Sequence, residues 1–148
     1  MVLFPPVVRG PDALPVLPTP ENVLYHSMRT GCNVMVTVPT FMSVWASEPT
    51  AVTALRNMEL VIFSGGGLSE KLGDALVQSG IVLRNIYGGT EFGSPGYSSR
   101  RPGDEIEWEY FEFSKDSEVV WVDQGGETYE CQLFVCFFFF YANCIELT

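Results

Sequence analysis

Leu60-Val61-Ile62-Phe63-Ser64-Gly65-Gly66-Gly67-Leu68-Ser69, followed after one helix by Ile86-Tyr87-Gly88-Gly89-Thr90-Glu91-Phe92-Gly93, decides the fold. Each half is an apolar, β-branched run that ends in glycines, the pattern of a buried strand entering a turn. The second half closes on a hydroxyl and a carboxylate. Two such turns at the carboxyl ends of neighbouring parallel strands make a crevice in which nucleotides commonly bind.

Working outward, Ser69 is placed to cap a helix in which Leu72, Ala75, Leu76 and Ser79 share one face and which Gly80 ends. Residues 81–86 then form a strand. Upstream, residues 33–38 are apolar and β-branched and read as a buried strand that Pro39 stops. A short turn through Phe41 and Trp45 leads to a helix opened by Ser47-Glu48-Pro49, with Val52 and Leu55 on its inner face. Residues 33–86 therefore alternate strand, helix, strand, helix, strand, which predicts two successive βαβ units and three parallel strands. Further upstream, Thr19-Pro20-Glu21 has the order of an N-cap, a first-turn proline and an acidic first turn, and Gly31 can close that helix. Residues 1–19 are proline-rich and read as an extended lead-in.

Beyond Gly93 the pattern changes. Residues 94–103 are a polar loop, and Ile106-Glu107-Trp108-Glu109-Tyr110 alternates as a half-buried strand does. Residues 119–122 and 128–135 predict two more strands around a turn at Gly125-Gly126. The fold class is α/β: three parallel strands with helical crossovers, then an antiparallel meander. Residues 131–145 carry no charge and include Phe137 to Phe140 in succession. The run is shorter than the ~20 residues of a membrane-spanning helix. Exposed, it would aggregate. Residues 134–148 are therefore expected to be an atypical tail outside the native coding sequence, the alternatives being a buried strand or a membrane-associating tail.

The 148 residues suffice for one domain with its own core, and 47% apolar against 18% charged residues is globular composition. A net charge of −10 with only eight basic residues argues against a nucleic-acid partner, because phosphate binding draws on a surplus of Lys and Arg. Cys32, Cys131, Cys136 and Cys144 fit no zinc-knuckle spacing, and His26 is the only histidine. Free thiols and a cytoplasmic location are expected, since the amino terminus shows neither a basic segment nor a long apolar one.

The two glycine motifs carry the chemistry. Tyr87 offers a flat ring on which a base can stack. Gly88 and Gly89 allow a sharp turn and a close approach to a ligand. Thr90 offers a hydroxyl to a phosphate oxygen, and Glu91 a hard oxygen for Mg²⁺. Gly65 and Gly66 would let a planar base lie against bare main chain. Either motif alone reads as an ordinary strand-to-loop connection; the pair, with the helix between them, is far more specific. His26 and Arg100-Arg101 read as surface groups. Glu107, Glu109 and Glu112 read as the wet face of a strand. No nucleophile elbow and no P-loop occurs.

These residues resemble the central stretch of the adenylate-forming superfamily, which includes acyl-CoA synthetases and NRPS-like adenylation domains. The family's Gly-Gly-Ala-Pro-Leu-Ser turn, helix and Tyr-Gly-x-Thr-Glu sequence are matched by Ser64 to Ser69 and Tyr87 to Glu91. Val38-Pro39-Thr40-Phe41, Trp45, Trp108-Glu109-Tyr110-Phe111 and Thr128-Tyr129-Glu130 add to the likeness, which makes residues 1–133 a partial AMP-binding domain. The resemblance implies that Tyr87, Gly65 and Gly66 enclose adenine, with Gly88 and Gly89 shaping the turn. It implies that Thr90 binds the α-phosphate and that Glu91 helps hold Mg²⁺. The implied ligands are ATP or AMP with Mg²⁺, a carboxylic acid, and a thiol carrier such as CoA or phosphopantetheine. Ser64 and Gly67 depart from the family's Gly and Pro. No lysine-bearing phosphate loop, ribose-binding aspartate or lid lysine is found, so no catalytic residue is assigned. The chain by itself is expected not to adenylate a substrate; a non-catalytic nucleotide-binding remnant and a truncated product without function are the alternatives.

Overall fold

A computed structural model describes residues 11–12, 14, 16–98, 108–135 and 145–147. Thr19 opens helix α1 (Pro20–Arg29) with a capping box. Its hydroxyl accepts from the Asn22 backbone N–H at 3.3 Å, and the Asn22 side-chain oxygen accepts from the Thr19 N–H at 2.8 Å. Gly31, at φ +67°, turns the chain out of the helix as its position predicts.

Strand β1 (Val34–Thr37) is half-buried, not the buried strand that its β-branched run suggests. Met35 and Thr37 face the core, while Val36 is 66% exposed on the other side. The reason lies in what packs against it. The core gathers Met35, Val61, Phe63 and Leu83 with Met42, Trp45, Leu55 and Leu76 from the helices, so the helices cover one face of these strands.

The turn expected at Phe41 and Trp45 is a helix, α2 (Pro39–Trp45). Pro39 sits where a missing N–H costs nothing, and Met42 and Trp45, three apart, are both buried. The Trp45 indole N–H donates to the Pro20 carbonyl at 3.0 Å and ties α2 to α1. Helix α3 (Pro49–Arg56) follows, with Ala51, Ala54 and Leu55 inside. The first crossover thus contains two helices.

Strand β2 (Leu60–Phe63), helix α4 (Glu70–Gln78) and strand β3 (Leu83–Gly89) complete the second crossover. Ser69 occupies the N-cap position of α4 but its side chain makes no capping bond. The inner face of α4 also differs from expectation. Gly73 and Leu76 are buried and Leu72 and Val77 pack on the core, whereas Ala75 and Ser79 are exposed. Gly80 ends the element at φ +87°.

The three strands are parallel, with Val34 opposite Leu60, and Val61 opposite Leu83 through Phe63 opposite Asn85. β3 then pairs antiparallel with β4 (Gly93–Tyr97), and β4 with β5 (Glu112–Phe113), giving a five-stranded sheet in the order β1-β2-β3-β4-β5. Residues 94–97 are therefore strand where a polar loop was expected; 99–103 lie outside the described residues. Trp108 and Glu109 form a turn instead of a strand, and Ile106 and Glu107 are not described.

A second sheet contains β6 (Glu118–Gly125), β7 (Thr128–Val135) and β8 (Ile145–Leu147), all antiparallel. The β6–β7 hairpin turns one residue later than the two glycines predict: Gly125 (φ +84°) still pairs with Thr128, and the turn is Gly126 (φ +62°) and Glu127 (φ +64°). The phenylalanine run at 137–140 lies outside the described residues. No helix among the described residues is long and apolar enough to cross a membrane.

Candidate functional site

The last paired position of β2 and β3 places Phe63 opposite Asn85. Gly65 and Tyr87 each stand two positions further on, so both motifs leave the same end of adjacent parallel strands. The Ser64 N–H donates to the Thr37 carbonyl at 3.1 Å, which fixes the start of the first turn against the end of β1. Gly65 has φ +80°, a conformation that L side chains rarely adopt. A Cβ on Gly65 or Gly67 would meet nothing within 4 Å, and one on Gly66 only Pro39 Cγ at 3.9 Å. The turn therefore presents bare, exposed main chain.

The second motif is a hairpin, which corrects the expectation of a strand ending in a glycine turn. β3 continues through Gly88 and Gly89, and Thr90-Glu91-Phe92 form the tip. Gly88 and Gly89 serve close approach within the hairpin, not a sharp bend. A Cβ on Gly88 would collide with the Gly93 carbonyl and lie 2.9 Å from Ser94 Cα. One on Gly89 would lie 2.8 Å from the Phe92 ring. The reversal is made by Gly93, at φ +70°. Thr90 and Glu91 consequently sit exposed at the hairpin tip, beside Tyr87 in the chain.

Tyr87 is 38% exposed and is held by aromatic neighbours. Its ring stacks on Phe111 with centroids 5.1 Å apart and planes 5° from parallel. Phe92 leans on it at 5.8 Å and 33°, and Phe113 meets it edge-on at 6.0 Å. Phe111 arrives over β4, where Gly96 pairs opposite Tyr87. A Cβ on Gly96 would lie 2.6 Å from the Phe111 ring. Phe111 thus covers one face of the Tyr87 ring from the β4 side.

The segment carrying Phe111 is fastened at three points that the sequence alone did not reveal. Trp108 is 1% exposed, and its indole N–H donates to Asp74 Oδ1 at 3.0 Å. Its ring lies on Gly73 and tilts against Phe63 at 5.7 Å. The Ser98 hydroxyl accepts from the Asn85 N–H at 3.0 Å and donates to the Tyr110 carbonyl at 2.8 Å. A glycine in the middle of α4 was the available signal, since glycine is poor in helix interiors and marks a close approach.

Bare main chain at Gly65 to Gly67 and a part-exposed tyrosine ring, both at the same end of adjacent strands, are surfaces that suit a flat, uncharged ring. Among the described residues no group of three His, Cys, Asp or Glu is placed to hold a metal ion. Glu91 thus fits Mg²⁺ only in the manner typical of that ion, as one carboxylate alongside phosphate oxygens. Thr37 Oγ1 is buried near the same strand ends and has no hydrogen-bond partner among the described residues. His26 is exposed on α1, its ring edge-on to Tyr25. Glu109 and Glu112 are exposed, while Arg100, Arg101 and Glu107 lie outside the described residues. Cys32 and Cys131 are free thiols, and burial pushes the Cys131 thiol up from its ordinary value.

No known family model matches the chain. Individual proteins do. Over 134 residues it is 44% identical to the adenylate-forming reductase Nps9 of Serpula lacrymans, an alignment covering 87% of this chain and 12% of that protein. Nps11 of the same fungus is 41% identical over 89% of this chain and 12% of its own length. A carboxylic acid reductase of Neurospora crassa is 31% identical over 65% of this chain and 9% of its own. The chain thus spans about 12% of the length of the first two curated relatives. Among solved structures, the N-terminal subdomain of Klebsiella oxytoca NpsA, in complex with 3-hydroxyanthranilyl-AMSN, superposes with a TM-score of 0.57. That match has 17% identity and covers 83% of this chain and 32% of that one, a likeness of fold.

Proposed function

We propose, since this chain belongs to the adenylate-forming superfamily as a homologue of one segment of it, that it carries part of the adenine and Mg²⁺ site of an ATP-dependent, carboxylic-acid-activating enzyme. The observation that carries this reading is the placing of Gly65 to Gly67 and the Tyr87 hairpin at the same end of β2 and β3. A base would lie between the Tyr87 ring and the main chain of Gly65 and Gly66. Gly88 and Gly89 keep the hairpin closed tightly enough to project its tip. Thr90 would then donate its hydroxyl to the α-phosphate. Glu91 would hold Mg²⁺ together with phosphate oxygens, and that ion would supply neutralisation of phosphate charge.

In the parent reaction a carboxylate attacks the α-phosphorus of ATP and pyrophosphate leaves, and the acyl-adenylate passes to a thiol carrier. Such a step rests on positioning and charge neutralisation around the phosphates. This chain's share is the base, one phosphate contact and one carboxylate for Mg²⁺, so it binds nucleotide and does not turn it over alone. Residues 1–133 are read as the part belonging to the AMP-binding domain and 134–148 as an atypical tail. The test is calorimetric titration of AMP and MgATP into the purified chain, with a parallel assay for pyrophosphate release in the presence of carboxylic acids. AMP binding without acid-dependent release is expected. Absence of AMP binding overturns the site, and acid-dependent release overturns the claim of inactivity.

A further inference from the structure

The Tyr87 face that Phe111 covers has a consequence for ligand choice. We infer that Phe111, admitted by Gly96, is a positioning residue that sets Tyr87 as a one-sided platform and tunes the site toward purine over pyrimidine bases. The inference rests on the nucleotide reading above and extends it to a residue outside both glycine motifs.

An isolated tyrosine on an exposed strand rotates about χ1 and offers both faces. Here the ring is clamped. Phe111 lies parallel to it at 5.1 Å, Phe113 stands across the edges of both rings, and Phe92 leans from the hairpin tip. Offset parallel stacking of this kind exceeds simple area burial. The clamp is built into the backbone, because any side chain at 96 would occupy the space of the Phe111 ring and crowd Tyr87 Cβ at 3.1 Å. Phe111 is in turn held by its neighbours: Trp108 is pinned to Asp74, and Ser98 bonds both the Asn85 N–H and the Tyr110 carbonyl.

A ring held in one orientation stacks with a fixed overlap. The larger two-ring base then gains more from the platform than a single-ring base, and it loses more when the platform swings. Backing by Phe111 therefore contributes to purine preference as well as to affinity.

The test titrates AMP and CMP separately into the native 148-residue chain and into Phe111→Leu and Phe111→Tyr. Melting temperature and near-ultraviolet circular dichroism are measured on each. Phe111→Leu keeps an apolar side chain over Gly96 and removes the flat ring, while Phe111→Tyr restores it. For Phe111→Leu we expect AMP affinity to fall roughly fivefold with CMP affinity nearly unchanged, as the loss of one aromatic pair implies. Phe111→Tyr should restore the AMP preference. Equal AMP and CMP affinities in native chain and Phe111→Leu, at matched melting temperatures, overturn the inference while leaving the nucleotide site standing. A Phe111→Leu chain that weakens AMP and CMP equally also overturns it, since that marks a merely structural role. A native chain that binds neither nucleotide overturns both.

Discussion

Gly73 lies so close beneath the indole of Trp108 that a Cβ on residue 73 would overlap the ring at Cζ2. Helix α4 thus gives up helix propensity at one interior position to seat a tryptophan from a segment more than thirty residues away. Gly73→Ala should destabilise the chain by about 1–3 kcal/mol, the cost of overpacking a filled core. Urea unfolding followed by tryptophan emission measures it. Unchanged stability would mean that the indole has room to move.

Asp74 supplies the hydrogen bond that such a buried indole requires. Asp74→Ala leaves the Trp108 N–H unsatisfied and should cost about 1–3 kcal/mol. The same unfolding experiment reads it. Asp74→Asn keeps an acceptor oxygen and should recover most of the loss.

The capping box of α1 gives a stability effect with a pH signature. Thr19→Ala should cost about 1 kcal/mol. Glu21 is held below the ordinary glutamate value, chiefly by a backbone hydrogen bond at Glu21 and then by the Thr19 hydroxyl. A carboxyl lowered in the folded state contributes stability above its unfolded value, and that contribution is lost as pH falls through the folded value. Thermal melts between about pH 6 and about pH 3 should therefore show a smaller acid-induced drop from Glu21 in Thr19→Ala than in the native chain.

Gly93 makes the hairpin reversal at φ +70°. Gly93→Ala should cost about 1 kcal/mol, because a Cβ is disfavoured in that conformation. If the tip presents Thr90 and Glu91 to phosphate, the variant should also weaken ATP binding by more than its stability loss explains. Titration at a temperature well below both melting points separates the two effects.

Glu91→Gln isolates the metal from the base. The variant should lose the Mg²⁺-dependent gain in ATP affinity and keep the AMP affinity measured in the absence of metal. Equal Mg²⁺ dependence in native and variant chains removes Glu91 from the site.

The parallel strands and their crossovers were readable because residues 33–86 alternate apolar runs with capped helical patterns. Helix α2 was not, because Pro39 looks like a strand terminator and serves equally well as a helix opener. Val34 and Val36 misled for a related reason: β-branching marks a strand but does not say which faces are covered. At the site, the glycines of both motifs were visible, yet the β3–β4 pairing that places Thr90 and Glu91 at a tip depends on a partner strand of glycine, serine and proline. Local preference there favours a loop, and pairing with β3 and β5 makes it a strand. Phe111 was hidden because its place depends on Gly96, Ser98 and Trp108 together.

β1 lies at one border of the five-stranded sheet and pairs, among the described residues, with β2 alone. Its outward valines, Val34 and Val36, carry neither a charge nor a proline to repel a newcomer. The opposite border, β5, is only Glu112 and Phe113 and carries an acid. The sheet is thus asymmetric in its sociability. One margin is blunted, and the other is an invitation to any strand, native or stray, that can lengthen the ladder. A strand added there would lengthen the sheet beside Thr37, whose carbonyl fixes the start of the first glycine turn.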